Sequence, residues 1–488
     1  MLRDPDPSLI NADIAPTPPE GRTWSVWHMA ALWIGMVVCV PTYTLAGDLI
    51  HMGMSCAQAV GTILLGNVIV LAPMVLNGHA GTKYGIPFPV LSRASFGIRG
   101  ANVAAILRGL VACGWFGIQT WVGGSAIYQL VNVLAGPVLA GDHLPVLGIN
   151  AGELSCFLVF WLIQIAILYR GLESIRVFEA WSAPFLIVIG LALLAWAYVK
   201  ADGFGPMLST ESKFAAGGEQ EGQFLSAFLP GLTSMVGFWA TLSLNIPDFT
   251  RYARSQRDQM LGQAIGLPTT MTLFAFIGVA VTSASVVIFG SAIPDPIELA
   301  GKIGGDLTVV VSLLALSVAT LSTNVAANVV SPANAIINLA PKRATFLFGA
   351  LVTSVIGIVI MPWKLYEDPS GYIYTWLIGY SALLGPIGGI LIADYFFVRR
   401  TQLDLEGLYR RDGPYWYSNG FNPVAIVALV LGVLPNLPGF LHAAGIVQSV
   451  PAVFQSIYTY AWFAGFLLSS LVYVAGMKLA GAATNSTR

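Results

Sequence analysis

The chain has 488 residues, 56% of them hydrophobic and 10% charged, and a mean hydropathy of +0.74, where ordinary globular chains carry about 25% charged residues. That balance excludes a water-soluble globular protein and sets the chain in a lipid bilayer as one polytopic helix bundle. With a net charge of −1, nothing calls for nucleic acid or any strongly charged partner.

Residues 1–24 are polar and proline-rich, unlike a cleavable signal peptide, so the first apolar helix is expected to act as the insertion signal. A spanning helix needs roughly 20 mostly apolar residues. This predicts twelve spans, at 25–48, 55–77, 102–134, 152–169, 175–199, 224–246, 263–289, 306–338, 344–362, 372–397, 421–441 and 455–477. With both termini inside, the outer loops hold only Lys200, Lys213, Lys302 and Lys364 of the 23 Lys and Arg residues, and Arg108 starts span three. The rest stay cytoplasmic, as the positive-inside bias requires. The expected layout is a cytoplasmic tail at 1–24, a single membrane domain at 25–478 and a second cytoplasmic tail at 479–488, in the plasma membrane. Loops 135–151 and 200–223 are expected to be solvated connectors. The inner loop 78–101, with "GHAGTKYGIPFPVLSRASFGIRG", is too apolar and too rich in Gly and Pro for a simple linker, and is expected to form a short interfacial helix against the bundle. Cys39, Cys56, Cys113 and Cys156 have no paired spacing and are expected to be buried small side chains.

Two spans read as interrupted. Span one contains "LWIGMVVCVPTYTLAG" with Gly35 and Pro41, and span six contains "FLPGLTSMVGFWATLSLNIPDF" with Pro230, Gly231, Gly237 and Pro247. A helix broken at membrane depth is tolerated only where it is packed in protein or lines a cavity, and broken helices at corresponding positions of two halves point to a transporter's central site. Five spans per half would make the halves inverted. The other reading is that these residues only kink or pack their helices.

No Asp, Glu, Lys, Arg or His is read near the centre of a span; Asp48, His51, Asp248, Asp394, His28, Arg108 and Glu153 fall at span ends. Charges within a bilayer mark ion and proton paths, so the reading favours a neutral substrate and disfavours a buried carboxylate relay, with Asp48 or Asp248 as span-end alternatives. No metal-ligand cluster, nucleotide loop or catalytic spacing is present, which argues against an enzyme and against a cofactor. What remains is neutral polarity. Trp115 and Gln119, four residues apart in "ACGWFGIQTWVGG", share one face of span three; the indole offers a flat platform and the carboxamide an acceptor and two donors, suited to an amide or ureide edge. Trp121 faces elsewhere. In span eight Ser322 and Thr323 put two hydroxyls beside Asn324 and Asn328. With carbonyls released by a broken span one they would form an all-oxygen site for a hard monovalent cation, although Ser and Thr also bond between helices routinely.

The segments "NGHAGTKYGIPFPVLSRASFGIRGAN", "WFGIQTW", "GFWATLSLNIPDFTRYA", "LSTNVAANVVSPA", "MPWKL" and "LGPIGGILIADYFFVRR" resemble, in that order, the nucleobase:cation symporter-1 family, over most of the chain from residue 23 to near 425. The resemblance implies an all-α, LeuT-like five-plus-five inverted repeat, with the first repeat at 25–199, the inverted second at 224–397 and two additional helices at 421–477. It further implies Trp115 and Trp239 as the aromatic pair enclosing a planar ring, Gln119 and Asn328 as its hydrogen-bonding edge, and a sodium site made of the Gly35, Val38 and Ala319 carbonyls with the Ser322 and Thr323 hydroxyls. Two positions depart from the sodium-coupled hydantoin carriers: Cys39 stands where they have glutamine, and Phe238 where they have glycine.

The expectation is a secondary active transporter importing a neutral planar nucleobase or ureide by cation symport with alternating access. Allantoin is favoured on phrasing, then uracil or hydantoin. Both hydroxyls favour sodium, with a proton-coupled nucleobase permease as the alternative. A non-transporting receptor or channel and an amino-acid carrier are the rival readings; oligomeric state is not legible.

Overall fold

The computed structural model describes residues 2–170, 172–366 and 372–486, and the described residues are helical apart from turns and isolated bridges. Span one is two helices, α1 (Val26–Val37) and α2 (Val40–His51), bent by 61° where Val38 and Cys39 leave helical geometry. Pro41 is the second residue of α2, a position that needs no N–H donor, so the proline opens the second half. Next come α3 (Cys56–Tyr84), α4 (Phe88–Phe96), α5 (Ala101–Ala135), α6 (Ala151–Leu168) and α7 (Leu172–Lys200). The Ser55–Gln58 and Asn150–Glu153 pairs cap α3 and α6 reciprocally. The second half holds α8 (Phe224–Asn245), α9 (Pro247–Thr250), α10 (Gln256–Phe289), α11 (Pro296–Lys302), α12 (Asp306–Leu339), α13 (Phe346–Val359), α14 (Pro362–Tyr366) and α15 (Ile378–Ile392), the last flanked by π-helical turns at Tyr372–Leu377 and Ala393–Val398. The chain ends with α16 (Pro423–Val433), α17 (Leu437–Ala443), α18 (Ala452–Thr459) and α19 (Ala461–Ser486).

Among the described residues ten stretches are long and apolar enough to cross a membrane, and the bent pair makes an eleventh. Where a twelfth was expected, α13 has 14 residues, about 21 Å against a hydrocarbon core of ~30 Å. Helices α5 and α12 pack on each other most extensively and form the centre of the bundle.

Three expectations are corrected. Span six is not broken at membrane depth: α8 runs unbroken from Phe224 to Asn245. Pro230 sits in its second turn, and Gly237 serves close packing instead, since a Cβ there would lie 3.0 Å from the Leu377 carbonyl oxygen. The loop 78–101 does form a short helix against the bundle, but one enclosed by protein. Its first residues extend α3, and all nine residues of α4 are buried, with the Phe88 N–H donating to Asp248 Oδ1 at 3.0 Å. The outer loop 200–223 is more than a solvated connector, because Phe214 is buried and the Lys213 N–H donates to the Gly53 carbonyl. The N-terminal tail is also packed: Ile14 is fully buried, and the Arg251 guanidinium donates to Thr17 Oγ1 and to the Asp13 and Ala15 carbonyls at 2.7–2.8 Å. The four cysteines are free and buried.

Glycine permits the closest contact between α10 and α2, because a Cβ at Gly278 would strike the Tyr43 carbonyl oxygen. Gly278→Val is therefore expected to destabilise the protein by about 1–3 kcal/mol and to lower its melting temperature in detergent. Gly47→Ala, where nothing lies within 4 Å of the added carbon, is the control and should show no loss.

Candidate substrate pocket and cation site

Three helices converge on the break. Helix α5 contributes Trp115 and Gln119, the break contributes Met36 and Cys39, α8 contributes Phe238 and Trp239, and α12 contributes Thr323 and Asn328, all lining one cavity of about 20 Å³. The six side chains expected at the substrate are thus brought together: Trp115, Gln119, Trp239, Asn328, Cys39 and Phe238. The cavity has room for about one water, so a ring cannot enter without movement. The Phe238 ring stands edge-on to Trp115 at 5.4 Å and to Trp239 at 5.1 Å, and Trp33 meets Trp239 at 5.2 Å. Phe238 thus stands edge-on to both indoles.

Two polar atoms of the residues lining this cavity are unpaired. Gln119 Oε1 and Trp239 Nε1 are buried and have no hydrogen-bond partner among the described residues. An unpaired buried acceptor or donor costs about 1–3 kcal/mol, which a ring carrying both N–H and C=O groups would recover. Asn328 is oriented from behind: its Nδ2 donates to Asn324 Oδ1 at 2.9 Å, and Asn324 Nδ2 donates to Gln164 Oε1, the Phe116 carbonyl and Thr120 Oγ1. Such a satisfied chain holds an amide in one orientation. Trp121 packs against Phe157 and Trp363, away from the cavity.

A second cluster lies where α1, α7 and α12 meet. Thr323 Oγ1 donates to the Gly35 and Met36 carbonyls, each at 3.1 Å. Ser322 Oγ donates to Glu179 Oε2 at 2.7 Å, and Ser182 Oγ is 3.5 Å from Ser322 Oγ. Of the five expected cation ligands, Gly35, Ser322 and Thr323 come together here. Val38 and Ala319 line an adjoining cavity of about 410 Å³ between α7, α10, α11 and α12. That larger cavity is walled mainly by aliphatic side chains, without the convergent polar groups of a recognition site, so the small cavity is the better substrate site.

Glu179, not listed among the span-end charges, is buried near the start of α7, away from the centre of its span. It is the fifth residue of the predicted span 175–199, and its carboxyl was the available signal. Arg108, expected at a span end, is fully buried. Its Nε donates to the Thr241 carbonyl and Asn245 Oδ1, and its Nη2 to the Ala327 carbonyl. Since Thr241 and Ala327 also line the small cavity, this guanidinium ties α5, α8 and α12 together under the pocket. Trp376, 6.3 Å from Trp115, and Tyr380, 6.4 Å from it, pack edge-on against that indole from span ten; neither stood out in the sequence.

A family model for permeases of cytosine and purines, uracil, thiamine and allantoin matches residues 16–465. The chain belongs to the nucleobase-cation-symport-1 family. It is 50% identical over 470 residues to a purine-uracil permease of Arabidopsis thaliana, covering 96% of this chain and 78% of the relative. It is 41% identical over 473 residues to an allantoin permease of Bacillus subtilis, covering 96% and 94%. The fold matches the closed conformation of Mhp1, a nucleobase-cation-symport-1 transporter with bromovinylhydantoin bound, at a TM-score of 0.79 and 26% identity over 98% of this chain and 97% of that one. A 16% identical neighbour, MhsT in complex with L-phenylalanine, shares the fold at a TM-score of 0.55 over 91% and 98%. Like other members of the nucleobase-cation-symport-1 family, the chain is a membrane permease and not an enzyme.

Removing the orphaned acceptor by Gln119→Ala is expected to weaken ligand binding by about 1–3 kcal/mol, roughly 5- to 150-fold, in an equilibrium binding assay with a nucleobase or ureide. Trp121→Phe should bind as the unaltered protein does.

Proposed function

We propose that the protein is a secondary active transporter that carries a neutral planar nucleobase or ureide inward across the plasma membrane with a monovalent cation, by alternating access. The observation that carries this reading is the pair of orphaned polar atoms, the Gln119 acceptor and the Trp239 donor, on residues that line one small cavity with Trp115. Trp115 and Trp239 would lie against the faces of the ring, a contact worth about 1–3 kcal/mol per base. Gln119 and Asn328 would read its edge, while Cys39 and Phe238 shape the wall. Phrasing favours allantoin before uracil and hydantoin. The purine-uracil relative at 50% identity puts uracil and purine bases beside allantoin as the substrates to rank.

The cation would be held at Gly35, Val38, Ala319, Ser322 and Thr323. The two retained hydroxyls favour sodium. A proton is the second reading, favoured by the carboxyl of Glu179 within the same cluster. In this reading 25–199 and 224–397 are inverted repeats, 421–477 adds two helices to complete twelve spans, and both termini are cytoplasmic. Rocking of one repeat bundle against the other exposes the midplane site to each side in turn, and cation and substrate raise each other's affinity by equal factors.

The test is uptake of radiolabelled uracil and allantoin into proteoliposomes, with an inward sodium gradient, an inward proton gradient or neither, and with purine bases and hydantoin as competitors. Saturable uptake that depends on one gradient and is competed by the related rings is expected. Absence of uptake and of competition by every ring would overturn the assignment.

A further inference from the structure

The start of α5 and the end of α12 meet at one level of the bundle, where Asn338 Nδ2 donates to Asn102 Oδ1 at 2.8 Å. Beside this contact lies a groove of about 560 Å³, remote in sequence and position from the aromatic cavity and the oxygen cluster. Its lining has two characters. Arg99, Asn102 and Arg411 make it polar, whereas Val103, Ile106, Leu107 and Leu339 make it apolar, and no acidic side chain lines it. Along α5 the change comes within one turn, from Arg99 and Asn102 to Ile106. Leu110, four residues on from Ile106 and on the same face, continues the apolar stripe, and Ile106, Leu110 and Leu339 are all exposed. Contiguous apolar surface of this kind marks contact with a membrane or a partner. Helix α5 has 35 residues, about 52 Å, against a hydrocarbon core of ~30 Å. Its first turn therefore reaches the headgroup level while the stripe runs down along the acyl chains.

The charges at the polar part are unequally matched. Arg411 lies over the Trp416 ring at 5.9 Å and is paired with Asp6 at 3.0 Å, and Arg410 is paired with Asp412. Arg99 lies over the same ring at 5.1 Å and donates from Nη1 to Asn419 Oδ1 at 3.0 Å, but it pairs with no acidic side chain among the described residues. Stacking on Trp416 fixes the plane of the guanidinium, whose fork matches two oxygens of a phosphate. A soluble anion would use this polar part alone. A phosphate carried on an acyl chain would use both parts, and basic pockets between spanning helices suit such headgroups.

We propose that this groove is a binding site for an anionic phospholipid, with the phosphate on Arg99 and Asn102 and an acyl chain along Ile106, Leu110 and Leu339. With both termini cytoplasmic, the lipid belongs to the inner leaflet. The site is independent of which ring or cation the protein carries.

The experiment is native mass spectrometry of the full chain in detergent, titrated with phosphatidylglycerol or with phosphatidylcholine of the same acyl chains. It reads the apparent affinity of the first lipid bound, in wild type, Arg99→Gln, Arg99→Lys and Arg257→Gln. Arg257, exposed in the first turn of α10 and outside the groove, is the control for diffuse charge. Wild type should bind phosphatidylglycerol at least fivefold more tightly than phosphatidylcholine. Arg99→Gln should lose that preference, while Arg99→Lys keeps most of it and Arg257→Gln keeps all of it. Millimolar glycerol phosphate should not displace the lipid. Equal affinity of the wild type for the two lipids, or an unchanged preference in Arg99→Gln, would overturn the site. An equal loss in Arg257→Gln would replace it by diffuse charge, and an equal loss in Arg99→Lys would trace the preference to packing on Trp416 and overturn the phosphate contact. Displacement by glycerol phosphate would make the ligand a soluble anion and overturn the lipid.

Discussion

A backbone that leaves helical geometry inside a bilayer releases carbonyls and amides that lipid cannot satisfy. In this protein the interruption at Val38 and Cys39 is surrounded on every side by protein. Gly35 and Met36 carbonyls accept the Thr323 hydroxyl, Cys39 Sγ lies 3.4 Å from Thr42 Oγ1, and Pro41 restarts the helix in a position where it needs no donor. Thr323 of α12 meets this requirement for a partner, and beside it Ser322 bonds Glu179 of α7, which completes the oxygen cluster. The same break turns Met36 and Cys39 into the wall of the aromatic cavity.

Met36 and Thr323 consequently belong to both places. Thr323 bonds the released carbonyls through its hydroxyl and also lines the cavity that holds Gln119 and Asn328. A ligand that moves Phe238 aside and presses on this wall acts on residues that also bond the cation cluster. Helix α12 extends this arrangement through the Asn324–Gln164–Thr120 network, which orients Asn328. Beside the cavity, Arg108 joins α5, α8 and α12 through its guanidinium. In the proposed symport, coupling would run through these shared side chains and need no long pathway.

Much of this was legible in the sequence, for identifiable reasons. Spacing of four placed Trp115 and Gln119 on one face, and adjacency of Ser322 and Thr323 supplied two hydroxyls to one level of α12. Pro41 beside Gly35 marked a break that exists, although it falls at Val38 and Cys39. The same residue types misled in span six, because Pro230 near a helix start and Gly237 in a helix contact look identical in sequence to a break; only the partner at Leu377 distinguishes them. The segment around α4 read as interfacial because its cover, the N-terminal tail together with Leu408 and Asn338, which meet Arg93, lies far away in sequence. Glu179 was overlooked since an acid near the start of an apolar run resembles a span-end residue, and its burial depends on the bend in α1. Trp376 and Tyr380 carried no pattern at all; their role comes from the approach of span ten to Gly114, where only glycine leaves room for the Trp376 ring.

The central claim, that substrate and cation sites share the wall of the broken helix, is tested most directly by measuring equilibrium binding of uracil or allantoin as sodium and pH are varied, in wild type and in Thr323→Val. The account predicts that ring affinity rises severalfold with the coupled cation in the wild type and becomes insensitive to it in the variant, which keeps the side-chain volume but loses the bond to Gly35 and Met36. An equal cation-dependent gain in both proteins would contradict it.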